Sequence, residues 1–205
     1  MTTSGTSRRE KRRDALLAAA RVLFLDKGYE RTTIGDIVGM AGGSRSTLME
    51  IFGGKEGLFL EVLRDVCRSV EAIFQTLETS DAAPETTLRE FAHGFLAAIF
   101  TPETVTIVQI LVAESGRFPE LSNAFLRIAP EMGQALLAAY LQRCVASGRL
   151  RPMDPENAAK TFLGMVIADA EYRALLGSPL APLLAAAHDR VDSAVDIFLH
   201  GAARK

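Results

Sequence analysis

Ser44, Arg45, Ser46 and Thr47 stand together between two glycine pairs, Gly42-Gly43 and Gly53-Gly54, in a chain that is 48% hydrophobic. Their chemistry is hydrogen bonding at a surface. A guanidinium such as that of Arg45 can take guanine O6 and N7 as a bidentate pair, and hydroxyls reach base edges or phosphate oxygens. Thr33 and Lys55 flank this stretch with a further hydroxyl and a further cation. The competing reading is an ordinary polar helix start at a corner of the chain. Catalytic chemistry has little to build on. His93, His188 and His200 are scattered, with no two at metal-ligand spacing on one helix, and no phosphate loop or nucleophile elbow occurs. The residues predict neither an enzyme nor a bound metal or cofactor. Cys67 and Cys144 are too few for a disulfide framework or a structural zinc site, and read as small buried hydrophobes.

Charge is unevenly spread. Residues 1–60 carry a balance of +3 and the remainder −5, for a total of −2. Five basic residues fall within the first thirteen. A basic head on an acidic body suggests that the head meets a polyanion, although a solvated basic tail would look the same. Residues 1–8 are expected to be a disordered basic arm, and Arg8, Arg9, Arg12 and Arg13 are the candidates to follow a phosphate backbone or enter a minor groove. No segment approaches the ~20 uncharged apolar residues of a membrane span. A soluble, cytoplasmic chain is expected.

The elements that must position these residues repeat with a helical period. Leu16, Ala20, Leu23 and Phe24 share one face of a first helix, from about Arg9 to Lys27, which stops at Gly28. Thr33 can cap a short second helix from Ile34 to Met40, with Asp36 three residues on. Ser44 can cap a third, Arg45 to Ile51, and a longer helix runs from Lys55 towards Thr79. Later stripes predict helices over 88–99, 102–114, 121–146, 155–176 and 184–198. No strand alternation is sustained. The fold class is all-α, about nine helices: three short ones in front and a bundle of long ones behind. Two short helices joined by a glycine turn and braced by an earlier helix make a helix-turn-helix, whose second helix lies in the DNA major groove.

The stretch "DALLAAARVLFLDKGYERTTIGDIVGMAGGSRSTLMEIFGGKEGLF", with its pattern "AA..LF...GY..TT...I...AG.S..TL...F..KE.LF", resembles the DNA-binding domain of TetR-family transcriptional regulators over about 45 residues. "VQILVAESGRFPELSNAFL" and "LRPMDPENAAKTFLGM" resemble the C-terminal domain of the AefR-like subgroup. The resemblance implies a homodimer on a palindromic double-stranded operator, released by a small-molecule effector. It implies a DNA-binding domain over residues 1–54 and a ligand-binding and dimerisation domain over 55–205. Carried over by position, Thr33 and Lys55 match phosphate contacts, and Ser44, Arg45, Ser46, Thr47 and Met49 match the recognition helix. An effector cavity in the bundle would draw on Phe91, Phe95, Gln109, Phe125, Met132 and Met165. A dimer interface on the last two long helices would draw on Phe162, Val166, Arg173, Val195 and Phe198.

Three positions depart from the family pattern. Gly43 stands where an apolar residue, often Val, is usual, which predicts a looser turn. Met49 stands where Tyr is usual, and Ile51 where His is often found; neither can bond a phosphate. These departures keep a second function in view, a dimeric ligand- or protein-binding module with weak or lost DNA binding.

Overall fold

The computed structural model describes residues 8–201, which form eleven α-helices and one π turn with no strand among them. They are α1 (Arg8–Lys27), α2 (Ile34–Ala41), α3 (Arg45–Phe52), α4 (Lys55–Thr76), α5 (Pro84–Ile99), α6 (Pro102–Glu114), α7 (Pro119–Leu126), α8 (Met132–Ala146), α9 (Pro155–Ile167), α10 (Ala170–Leu175) and α11 (Leu180–His200). The all-α expectation holds. The two added helices come from two breaks that a periodic reading passes over.

The first break is a π turn, Arg127–Glu131, between α7 and α8. It contains Pro130, which has no N–H to continue the ladder, and one widened turn absorbs the missing bond. The second falls at Ala168, a non-glycine residue at φ 47 that closes α9. Phe162, Val166, Ala170 and Ala174 all point inward. Steps of four exceed one helical turn, so a straight helix would rotate this row off the core. The break resets the row, and no residue type there announces it.

Packing divides the chain into two compact units. The first comprises residues up to Val66 together with Gln109–Phe125, and the second Cys67–Val108 with Leu126 onward. The boundary expected at 54/55 falls at the start of α4. By packing, α4 contributes to both units.

In the first unit α1 buries Leu16, Ala19, Ala20, Leu23 and Phe24. Phe24 packs edge-on against Phe59 at 5.1 Å, and Tyr29 packs against both rings. Thr32 is fully buried, and its hydroxyl donates to the carbonyls of Gly28 (2.8 Å) and Leu23 (3.1 Å), tying the α1–α2 connection to the end of α1.

In the second unit Phe74, Phe91 and Phe95 form an aromatic cluster with centroid separations of 4.9–5.7 Å. The Phe74 ring lies so close to Gly133 that a Cβ there would stand 2.7 Å from it. His93 of α5 and His188 of α11 stack at 4.7 Å with Nδ1 facing Nδ1, and Arg89 alongside bonds Asp192 and Glu85. Burial, then the charges of His188 and Arg89, hold His93 below its usual pKa. The unfolded chain therefore takes up a proton that the folded chain resists. Stability is full above the ordinary value of about 6.5 and is lost as pH falls through the lower, folded value. Thermal midpoints measured from about pH 7.5 down to 5.5 should fall, and less steeply in His93→Gln. Equal slopes in the two proteins would contradict this.

Cys67 and Cys144 are both buried, and burial pushes the Cys67 thiol up to about 11. The histidine pair spans two helices rather than one, but among the described residues no three metal-ligating side chains gather. No single described helix is long and apolar enough to cross a membrane.

Candidate nucleic-acid interface

Thr33 and Asp36 close a reciprocal cap on α2. The Thr33 hydroxyl accepts from the Asp36 N–H (3.1 Å), and the Asp36 carboxylate accepts from the Thr33 N–H (3.0 Å). The Thr33 bond holds the Asp36 carboxyl below its usual pKa. A turn through Gly42 (φ 70) and Gly43 (φ 113) then leads to α3. Arg12 clamps that turn: its Nη1 donates to the Gly42 carbonyl at 2.8 Å.

This clamp corrects the reading of Gly43. A Cβ at residue 43 would stand 3.2 Å from Arg12 Nη1. The contact that an apolar side chain usually makes is replaced by a guanidinium from α1, and the turn is held rather than loose. Restoring the usual residue should therefore do harm. Gly43→Val would force a β-branched residue to positive φ against Arg12, at a cost of about 1–3 kcal/mol. Denaturant unfolding of the first unit checks this, and a stabilised variant would refute it.

Ser44 caps α3 by accepting from the Thr47 N–H at 3.2 Å. Its hydroxyl also bonds the hydroxyls of Ser46 (2.8 Å) and Thr47 (2.9 Å), so the three form one exposed cluster. Leu48 is fully buried and anchors the helix. Ser46 and Glu50, four residues apart, lie on the face opposite Leu48 and point furthest outward. Met49 is half-exposed beside them. Arg45 is exposed, and its Nη2 lies 3.2 Å from where a Cβ on Gly35 would stand, next to the Thr33 hydroxyl. The absent side chain at Gly35 lets the arginine rest over the first turn of α2.

The basic arm is not an arm within the described residues. Arg8, Arg9, Arg12 and Arg13 all belong to α1. Arg12 is spent on the turn, and Arg13 pairs with Glu61 and lies over the Phe52 ring. Arg8 is exposed and Arg9 sits 4.0 Å from Glu50, so these two remain on the surface. Residues 1–7 of the expected arm lie outside the described residues.

Lys55 also differs from expectation. Its ammonium donates to the carbonyls of Tyr29 (2.9 Å) and Glu30 (3.3 Å) and sits 4.3 Å from the Tyr29 ring centroid. Burial lowers its pKa, against the pull of Glu114 and Glu30. The side chain ties α4 to the α1–α2 corner instead of reaching outward. At the same corner Arg117 pairs with Glu30, the Glu30 N–H donates to Glu114 (3.3 Å), and Phe118 packs on Tyr29 at 5.0 Å. Burial, then Glu56, Glu120 and Glu114, push the Tyr29 hydroxyl up to about 12. Spacing missed this corner because its partners lie some 85 residues apart in the chain.

The remaining candidates scatter. Phe91 and Phe95 are core aromatics, Met132 and Met165 are half-buried in the same unit, and Gln109 and Phe125 belong to the other. Phe162, Val166 and Val195 are fully buried within the chain itself, Phe198 packs on Phe162, and Arg173 pairs with Asp169. In this region the large apolar side chains left exposed are Tyr172 of α10, Leu176 just after it and Ile197 of α11.

Two family models match this chain. Residues 16–62 match bacterial regulatory proteins of the tetR family, and residues 86–201 match the C-terminal domain of AefR-like transcriptional repressors. The chain is 29% identical to the transcriptional regulator BetI of Agrobacterium fabrum over 84% of each. It is 30% identical to the transcriptional repressor KstR2 of Mycolicibacterium smegmatis over 69% of this chain and 68% of that one. A solved TetR-family regulator from Mesorhizobium loti superposes with a TM-score of 0.82 at 25% identity, covering 94% of this chain and 97% of its own. The flavonoid-responsive regulator FrrA superposes at 0.72 with 30% identity, covering 92% and 95%. With both domain models in sequence order and the capped, clamped α2–α3 pair in its place, the chain belongs to the TetR family of bacterial transcriptional regulators.

Proposed function

We propose that this chain is a homodimeric repressor that reads a palindromic operator through α3 of each subunit and leaves it when a small hydrophobic or amphipathic effector binds. The observation that carries the reading is the first turn of α3, where three hydroxyls and Arg45 stand exposed on a helix anchored by Leu48. A slim polar face of this kind suits the major groove. Gly43 no longer argues for lost DNA binding, because Arg12 braces the turn. Exposed apolar side chains at Tyr172, Leu176 and Ile197 offer apolar surface to a two-fold partner.

An effector is favoured by the aromatic cluster of Phe74, Phe91 and Phe95 in the second unit. FrrA, a relative named for its response to flavonoids, makes small aromatic molecules the first to screen. Within the first unit Glu114, at the end of α6, and Arg117 and Phe118 beyond it pack against Glu30 and Tyr29. The protein would act in the cytoplasm, where its operator is. Selection from random duplex DNA on the full chain tests the reading. A two-fold symmetric site is expected, and retention without sequence preference would overturn it.

A further inference from the structure

Glu50 is the residue that simple electrostatics would keep off a DNA-facing helix. Its carboxylate lies on the outermost line of α3 with Ser46, opposite the buried Leu48, and its side chain is 72% exposed. Facing DNA, a carboxylate adds repulsion from every nearby phosphate. It contributes favourably only where it accepts a hydrogen bond that the groove alone can donate.

Four kinds of base edge line the major groove. Guanine offers N7 and O6, both acceptors, and thymine offers O4 and a methyl group. Adenine offers a donor at N6 but an acceptor at N7 beside it, which repels the second carboxylate oxygen. Cytosine offers the N4 amino group without a neighbouring acceptor of its own on that edge. A carboxylate at this place therefore selects cytosine. Arg9, from α1, brings its Nη2 to 4.0 Å of the Glu50 carboxylate, and its own side chain is 71% exposed. It offsets the local negative charge and leaves the carboxylate pointing outward. Arg45, resting over Gly35 beside Thr33, lies to the flank of this line and does not compete for it.

Resting on the reading of α3 as the groove-entering helix, we propose that Glu50 is a specificity-determining residue that reads a C·G pair through the cytosine amino group, with Arg9 as its positioning residue. The test is selection of random duplex DNA on the full-length protein and on Glu50→Gln, Glu50→Ala and Arg9→Ala, with helicity checked for each variant. Wild type should select cytosine at one symmetric position in each half-site. Glu50→Ala should lose preference there alone, with about tenfold less discrimination per half-site. Glu50→Gln should move that position towards adenine, whose N6 and N7 suit an amide. Arg9→Ala should blur the same position and spare the rest. A palindrome unchanged by any Glu50 variant, or a Glu50-dependent position that is not C·G, would overturn the assignment and leave the repressor reading intact. No palindrome even for wild type would overturn both.

Discussion

Phe24→Ala is expected to destabilise the first unit by about 3–5 kcal/mol, the usual cost of emptying a buried aromatic site. Phe24 is fully buried and touches the rings of both Tyr29 and Phe59. Those rings close the corner where α1, the α1–α2 connection and α4 meet. The site cannot collapse easily, because one of its walls, the Tyr29 ring, is itself fixed by Phe118 and the Lys55 ammonium and packs on the other, Phe59. The total stability of a domain is only about 5–15 kcal/mol. The variant should lose DNA binding at temperatures where the second unit, with its separate aromatic core, still melts at its usual midpoint. Denaturation followed by far-ultraviolet dichroism and by DNA binding checks this. A shift below about 1 kcal/mol would show that the corner is not a structural keystone.

Lys55→Met should lower stability by about 1.5–3 kcal/mol, the usual worth of hydrogen bonds from a charged donor. It removes two bonds to the Tyr29 and Glu30 carbonyls and a cation–π contact, while keeping the length of the side chain. Operator affinity should fall for all sequences alike, because the corner that supports α2 and α3 loosens. The salt dependence separates this from direct phosphate binding. A lysine that neutralises a phosphate contributes about one unit to the slope of log affinity against log salt. Here the slope should stay as in wild type. A slope reduced by about one, with unchanged thermal stability, would place the ammonium on DNA instead.

Local signals carried much of the fold. The capping residues Thr33 and Ser44, the glycine stop at Gly28 and the apolar stripe of α1 each act within one or two turns, so spacing reveals them. The π turn at Pro130 and the break at Ala168 are settled by how two faces reach one core, and no local pattern records that. Within the candidate site, spacing placed the hydroxyls of Ser44, Ser46 and Thr47 at the start of one helix and gave Leu48 its inward place. It did not show that Arg12 and Arg13 are paired within the chain, because their carbonyl and carboxylate partners lie about 30 to 48 residues away. The same holds for Lys55, whose partners lie across the α1–α2 corner. Phe162, Val166 and Val195 sit on apolar stripes of two helices, but a stripe does not say whether its partner is the same chain or another copy.

The measurement that bears most directly on the central claim is affinity for the selected palindrome against a scrambled duplex at low and at raised salt. The account predicts a preference of roughly a thousandfold or more that persists as salt rises, with two subunits bound per duplex. Equal affinity for both duplexes, disappearing together at raised salt, would contradict it and leave only a basic surface at the head of the chain.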